Sequence, residues 1–308
     1  MRIAVIGAGG VGGYFGGKLA QAGNEVVFLT RGKALEVIGE RGLRVKSYLG
    51  DFKVYPEVSD SPECVAGADL ILFCTKAWQI EELAKRMQPF LKEDALVLPL
   101  QNGADNADRL KRILPDKRVL GGLCKIVSKI ESPGVIDHFT FEPEIVFGEL
   151  DGELSPQARN VKEVFDAAGF KNRLSTDIRR DIWLKFLFIA SISAMGALTR
   201  SVLGVIREQP FLREKIRQTA LEIVRVGQAL GVDIREEDID LAFNMIDAGA
   251  HETTMSLQRD MMEERPSELH NFNGYIVQKG DEMGIDTPVN DFIYYALLPM
   301  EQRARGIL

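Results

Sequence analysis

An α/β domain built on a parallel sheet, followed by an all-helical domain, is the fold class predicted for this 308-residue chain. Three observations predict it. Short β-rich apolar runs alternate with helical patterns through the first half. Those runs are apolar throughout, as strands covered on both faces are. Beyond about residue 174 the strand signals stop. Residues 1–170 are expected to form the first domain and 171–308 the second.

Arg2–Ile6 reads as the first strand, Gly10–Ala22 as a helix and Glu25–Leu29 as the second strand. Leu70–Cys74 and Ala95–Pro99 read as further strands, followed by helices through Trp78–Met87 and from Ala104 to Leu114. From Val119 to Gly148 the pattern changes. Lys125–Ile130, Val135–Phe139 and Ile145–Gly148 read as short strands, broken at Ser132-Pro133-Gly134 and Glu142-Pro143. Such breaks predict an antiparallel extension of the sheet. A helix over Pro156–Ala168 closes the first domain. Helices are then expected over Ile178–Leu198, Glu208–Leu230, Glu236–Gly249, Ser267–Met283 and Pro288–Gln302. Gly231 and Gly284 stand where helix-ending glycines belong.

Composition narrows the function. With 38 basic against 45 acidic side chains the formal net charge is -7, without the basic excess of a nucleic-acid binder. A few local Arg and Lys residues still suffice for an anionic small molecule. Cys64, Cys74 and Cys124 form no C-x-x-C, which suggests reduced thiols in a cytosolic protein. Met1–Ile6 runs straight into a strand and leaves no room for a signal peptide. The most apolar stretch, Phe186 to Leu198, covers roughly 13 residues, short of a membrane span. A soluble cytoplasmic protein, with neither nucleic acid nor membrane as partner, is expected.

Gly7-Ala8-Gly9-Gly10-Val11-Gly12 is a G-x-G-x-x-G directly after the first strand and opening a helix. The string alone is weak; in this frame it has a physical job. Gly7 permits a tight turn, Gly9 lets backbone approach a pyrophosphate, and Gly12 allows close helix–strand packing. The helix head, with Gly10 and Val11, then offers free N–H groups to the phosphates. This predicts a Rossmann domain that binds a dinucleotide. The second strand ends in Phe28-Leu29-Thr30-Arg31-Gly32, without the acid that usually bonds an NAD ribose. Arg31 would pair with a 2′-phosphate, so NADPH is the expected cofactor; an ordinary solvated arginine is the alternative. Two later strand ends carry polar residues toward the same crevice. Lys76 reads as a phosphate or ribose contact and Asn102 as one to the nicotinamide ribose and substrate. Plain capping or solvent-facing roles are the alternative for both.

Trp183-Leu184-Lys185-Phe186-Leu187-Phe188 puts a lysine in an apolar helix. Desolvation would push its pKa down toward the range useful for proton transfer; snorkelling to the surface is the plain alternative. Glu268, after Pro266 and Ser267, reads either as that lysine's partner or as a first-turn acid favoured by the helix dipole. None of His138, His251 and His270 stands in a Ser/His/Asp or metal-ligand spacing.

These residues, taken in order, resemble the ketopantoate reductase (2-dehydropantoate 2-reductase) family. They are G-A-G-G-V-G, Thr-Arg-Gly, Thr-Lys-Ala-Trp-Gln, Gln-Asn-Gly, Trp-x-Lys and Ser-x11-Glu. The likeness spans nearly the whole chain. It implies a Rossmann domain, a helical domain like that of 6-phosphogluconate dehydrogenase, and an active site in the cleft between them. The implied reaction is NADPH-dependent reduction of ketopantoate to pantoate, on the way to pantothenate and coenzyme A. By position, Lys185 resembles the lysine that bonds the keto oxygen and supplies its proton. Glu268 resembles the acid that holds the substrate hydroxyl and positions that lysine. Asn102 resembles the cleft asparagine, Ser256 the serine that binds the substrate carboxylate, and Gly7, Gly9, Gly12, Arg31 and Lys76 the NADPH contacts.

The sequence also departs from the family. Ile189 and Ser193 replace asparagines one and two turns after the lysine, and Thr253 replaces a substrate-lining asparagine. A pocket with fewer hydrogen-bonding partners discriminates less. A related NADPH-dependent reductase of another small 2-oxo acid is therefore the second reading. A non-catalytic NADP(H)-binding sensor is the third. The helical domain offers surfaces for self-association, and a homodimer is expected.

Overall fold

Strand β1 (Arg2–Ile6) is apolar from Ile3 onward because both its faces are covered; Ile3, Ala4, Val5 and Ile6 have no exposed surface. Parallel to it on one side runs β2 (Glu25–Leu29), then β5 (Glu57–Ser59). On the other side run β6 (Leu70–Phe73) and β7 (Leu96–Pro99), also parallel. The order β5-β2-β1-β6-β7 reverses direction at β1. In open parallel sheets, ligands sit at that switch, outside the carboxyl ends of the strands. A computed structural model provides this description for residues 1–114 and 119–308. The chain divides into two units, Met1–Ile178 and Arg179–Leu308.

The segment expected to extend the sheet instead builds a second one. β8 (Gly121–Ser132) and β9 (Val135–Gly148) form a long antiparallel hairpin. The other edge of β9 pairs in parallel first with β3 (Leu43–Ser47) and then with β10 (Lys171–Leu174). β4 (Phe52–Val54) completes a mixed sheet by pairing antiparallel with β3. The break expected at Glu142-Pro143 is absent, and β9 runs through it. Lys125 pairs with Glu144 and Val127 with Thr140, so Phe141, Glu142 and Pro143 form a bulge in β9 opposite Ile126 alone, with Phe141 at φ 66°. The other edge of β9 is unpaired between His138 and Glu144. Proline lacks a ladder donor and is tolerated at such a place.

Between the two sheets lies α1 (Gly10–Gln21), five of whose twelve residues are glycine. The glycines let both walls come close. A Cβ at Gly13 would lie 2.6 Å from Ile136 of β9; at Gly16, 2.6 Å from Phe28 of β2; at Gly17, 2.9 Å from Phe52 of β4. Tyr14, Phe15 and Leu19 fill the remaining space. Helices α2 (Lys33–Arg41), α3 (Ile80–Met87), α4 (Asn106–Ile113) and α5 (Pro156–Ala167) complete the unit.

In the second unit α6 (Ile178–Thr199, opening on the last residue of the first unit) is 22 residues long. By length and composition it could cross a membrane, although 67% of its most apolar window is buried. The helix expected over Glu208–Leu230 is α8 (Pro210–Ala229); a short helix not foreseen from sequence, α7 (Leu203–Glu208), precedes it, and the two stay separate because Pro210 starts a helix more readily than it continues one. α9 (Asp238–Ala248) and α10 (Ser256–Met262) follow, the latter not foreseen from sequence. Then come α11 (Asn273–Met283) and α12 (Pro288–Ala304). Arg180 anchors the head of α6 by donating to both oxygens of Asp238, at 2.7 and 3.1 Å. Buried Glu222 of α8 accepts from the Val289 and Asn290 N–H groups, 2.9 Å each, and so caps α12.

Candidate functional site

All strands of the first sheet point the same way, so Gly7, Arg31, Lys76 and Asn102 emerge at one edge. The ladder carries on past the strands to reach them. Gly7 N–H donates to Leu29 (2.9 Å), Cys74 N–H to Ile6 (2.9 Å) and Leu100 N–H to Phe73 (2.9 Å). Gly7 sits at φ 104° with Thr75 packed against it, a backbone conformation that glycine adopts without strain.

The glycines of the loop divide their tasks. A Cβ at Gly12 would collide with the Gly7 carbonyl oxygen, so this glycine is required by packing. A Cβ at Gly9 would meet nothing within 4 Å. That face of the loop is open, and the head of α1 beside it has neither a side-chain cap nor an acid in its first turn. A dinucleotide pyrophosphate fits there: unspent N–H groups and the helix dipole face it, and no side chain is in the way. Gly12→Ala is expected to cost about 1–3 kcal/mol of overpacking and several degrees of melting temperature. Gly9→Ala should melt within about 2 °C of the parent yet bind dinucleotide about tenfold more weakly or worse. Thermal melts beside cofactor titrations check both, and undiminished binding by Gly9→Ala would remove the loop's assigned part.

Arg31 is exposed beyond β2 and has no ion pair or hydrogen bond among the described residues. Lys76, half-buried, precedes a short 3-10 turn, Ala77–Gln79. Arg109 of α4 holds that turn: Nη1 donates to the Ala77 carbonyl at 3.0 Å and Nε to Glu81 at 3.0 Å. The guanidinium in return holds the Glu81 carboxyl below its ordinary pKa. Asn102 lies in a turn stapled by Asn106, whose Nδ2 donates to the carbonyls of Gln101 and Asn102, 3.1 Å each. Gly103, at φ 130°, leaves room for that amide.

Sequence reasoning missed Asn106 and Arg109, and also three residues with unspent polar atoms. Thr75 Oγ1, both amide atoms of Gln101 and Asp105 Oδ1 are buried without a hydrogen-bond partner among the described residues. Natural structures seldom leave such atoms alone unless a ligand or water completes them. Burial, partly offset by Arg109, pushes the Asp105 carboxyl above its usual range. Perturbed acids of this kind gather at functional sites. The run Gln101–Asn106 carried the signal: five polar or turn-forming residues of six at a strand end.

In the second unit Lys185 is half-buried on α6, flanked by buried Trp183 and Phe186. Ile189 and Ser193 follow one and two turns later on the same helix face. Both are buried, at 7% and 1% exposure. Ser256 is the first residue of α10. Gly196 of α6 admits α10 closely; its Cβ would lie 2.5 Å from Gln258. Glu268 stands in the turn between α10 and α11, only 5% exposed. It is not a first-turn acid, since α11 begins at Asn273. Its carbonyl accepts from the Asn271 and Phe272 N–H groups at 3.0 Å. The Phe272 ring in turn packs edge-on against Phe186, 6.1 Å between centroids. So α6 is flanked by the segments of Ser256 and Glu268.

Comparison with known proteins identifies the family and the fold. Residues 3–152 match the family model described as ketopantoate reductase PanE/ApbA, and 177–301 match its C-terminal counterpart. A 2-dehydropantoate 2-reductase of Archaeoglobus fulgidus is 31% identical, over 94% of each chain. The uncharacterized oxidoreductase YkpB of Bacillus subtilis is 30% identical, over 96% of this chain and 97% of its own. Among solved structures, a PanE/ApbA family ketopantoate reductase from Ralstonia eutropha JMP134 aligns with a TM-score of 0.91 at 31% identity, covering 99% and 100%. D-mandelate dehydrogenase with NADH and anilino(oxo)acetate shares the fold, at TM-score 0.90 and 22% identity, over 99% and 100%. The Rossmann-like unit, the helical unit and these matches together make the chain a member of the ketopantoate reductase family of oxidoreductases.

Proposed function

We propose that this oxidoreductase uses NADPH to reduce a small 2-oxo acid, with ketopantoate as first candidate and pantoate as product. The observation that carries the reading is a carboxylate, Glu268, kept at 5% exposure in a turn packed beside the helix of half-buried Lys185. A buried acid needs a cation or strong donors, and a carboxylate of that kind keeps a nearby ammonium protonated.

The Gly7–Gly12 loop, Arg31, Lys76 and Asn102 would hold NADPH, which would supply the hydride. This chain's residues do the rest. Lys185 donates a hydrogen bond to the keto oxygen and passes it a proton as alkoxide charge develops. Glu268 accepts from the substrate hydroxyl and holds the ammonium in place. Ser256 takes the carboxylate, and Asn102 orients substrate against the nicotinamide ribose. One well-placed donor to a developing oxyanion supplies on the order of 3 kcal/mol.

Three cysteines, none in a disulfide among the described residues, support a reducing, cytoplasmic setting. Exposed Phe211, Phe292 and Tyr295 on the helical unit support a homodimer. Neither nucleic acid nor membrane is proposed as a partner.

A second reading, the same chemistry on another 2-oxo acid, is favoured by Ile189 and Ser193. An apolar wall with one hydroxyl bonds fewer substrate groups than two asparagines do. Steady-state NADPH oxidation across a panel of 2-oxo acids tests both. Ketopantoate is expected to give the highest kcat/KM; a panel member turned over at least about tenfold faster would transfer the assignment to that compound.

A further inference from the structure

We infer that Glu301 of α12 is a positioning residue that aims Glu268 through the backbone of Ser267. The inference rests on the assignment of Glu268 to the site. It goes beyond that assignment by naming what holds the acid. Glu301 is wholly buried, at 0% exposure, as is Ser267. The Ser267 N–H donates to both Glu301 oxygens, at 3.1 and 3.0 Å, and Ser267 Oγ donates to Oε2 at 2.5 Å. Arg305, four residues on at the C-cap of α12, donates from Nε to Glu301 Oε1 at 2.6 Å and from Nη2 to the Ser267 carbonyl at 3.1 Å. Every polar group of Ser267 is thereby engaged, and its hydroxyl also accepts from the Leu269 N–H at 3.2 Å.

Glu268 is the next residue. Its own carbonyl is bonded on the far side by Asn271 and Phe272. Upstream, Arg265 is tied to Asp260 Oδ1 through Nε and Nη2, at 3.2 and 3.0 Å. The backbone of the acid is thus pinned on both sides, in a turn with no helix or strand of its own to fix it.

Stability alone does not call for this clamp. A buried ion pair replaced by apolar side chains of similar volume is often neutral or stabilising. What an apolar pair lacks is direction. Glu301 holds one N–H and one hydroxyl in a fixed geometry, and catalytic groups must be held within small tolerances. With both oxygens engaged by Ser267 and Arg305, Glu301 acts through the turn rather than on substrate.

The test uses the full-length enzyme and the best substrate of the panel, in a cycle of Glu301→Gln, Glu268→Gln and the double variant. Glutamine keeps size and one acceptor but cannot accept the Ser267 hydroxyl and Arg305 bonds together. Glu301→Gln is expected to lower kcat about tenfold, as small misplacements of catalytic groups do, while NADPH binding measured by fluorescence stays unchanged. In the Glu268→Gln background the same change should cost less than about twofold, because the group being aimed is already gone. Ser267→Ala, which removes only the hydroxyl link, should give a smaller loss of the same kind and serves if Glu301→Gln folds poorly. Full kcat in Glu301→Gln and Ser267→Ala, or additive losses in the double variant, overturns the inference while leaving the site standing. Full kcat in Glu268→Gln overturns the site assignment and the inference with it.

Discussion

Lys185→Ala is expected to lower kcat for 2-oxo-acid reduction by about 10²-fold or more. NADPH affinity and melting temperature should stay near the parent values. The expectation follows from where the ammonium sits. Its helix is apolar on most sides, with Trp183, Phe186, Leu187 and Ile189 all buried around it. There a charge is less screened than in water, and its effect on a developing alkoxide is correspondingly larger. Alanine removes the charge and, on the proposed mechanism, the proton source. Lys185→Met keeps most of the aliphatic volume and separates packing from chemistry; it should be as inactive as alanine. Stopped-flow oxidation of NADPH reads the chemical step directly. Turnover within about threefold of wild type in both variants would place the proton donor elsewhere. A sensor is the alternative, and its signature is a wild type that binds NADPH yet reduces no oxo acid at all.

The second large effect is expected in cofactor choice. Arg31→Glu should lower the ratio of kcat/KM for NADPH over NADH by about 10²-fold, chiefly through NADPH. Arg31 lies exposed past the end of β2, with no ion pair among the described residues to occupy it. A guanidinium suits a phosphate by charge and by its planar donors. A carboxylate repels the phosphate and instead accepts from the two ribose hydroxyls of NADH. Because the group is exposed, the wild-type preference should shrink as salt rises. Steady-state rates with both cofactors at two ionic strengths decide it. An unchanged ratio in the variant would make Arg31 an ordinary surface charge.

How much of this was legible in the sequence depended on how local the signal was. β1, β2, β6 and β7 announced themselves as apolar runs because both faces of each are buried. β3 and β4 did not. Leu43-Arg44-Val45-Lys46 alternates over a few residues and is covered on one face only, too short a pattern to stand out. The glycine loop could be read because its chemistry is contiguous. The start of α11 could not: Pro266-Ser267 looks like a helix signal, yet the Ser267 hydroxyl is committed to Glu301, 34 residues away. Glu268 could be singled out by position, but the bonds that hold its turn could not, since nothing in the sequence around Glu301 and Arg305 reveals which turn they grip.

The glycine content of α1 has a consequence for how the domain acquires its order. Each glycine costs on the order of 1 kcal/mol against alanine in a helix interior, so a peptide of residues 8–22 would be a coil in water. This helix can persist only once strands from distant parts of the chain have closed on both its sides. The glycine loop at its head is therefore expected to become organised late in folding. Loosening Ile136, well over a hundred residues downstream, should slacken nucleotide grip before the domain melts.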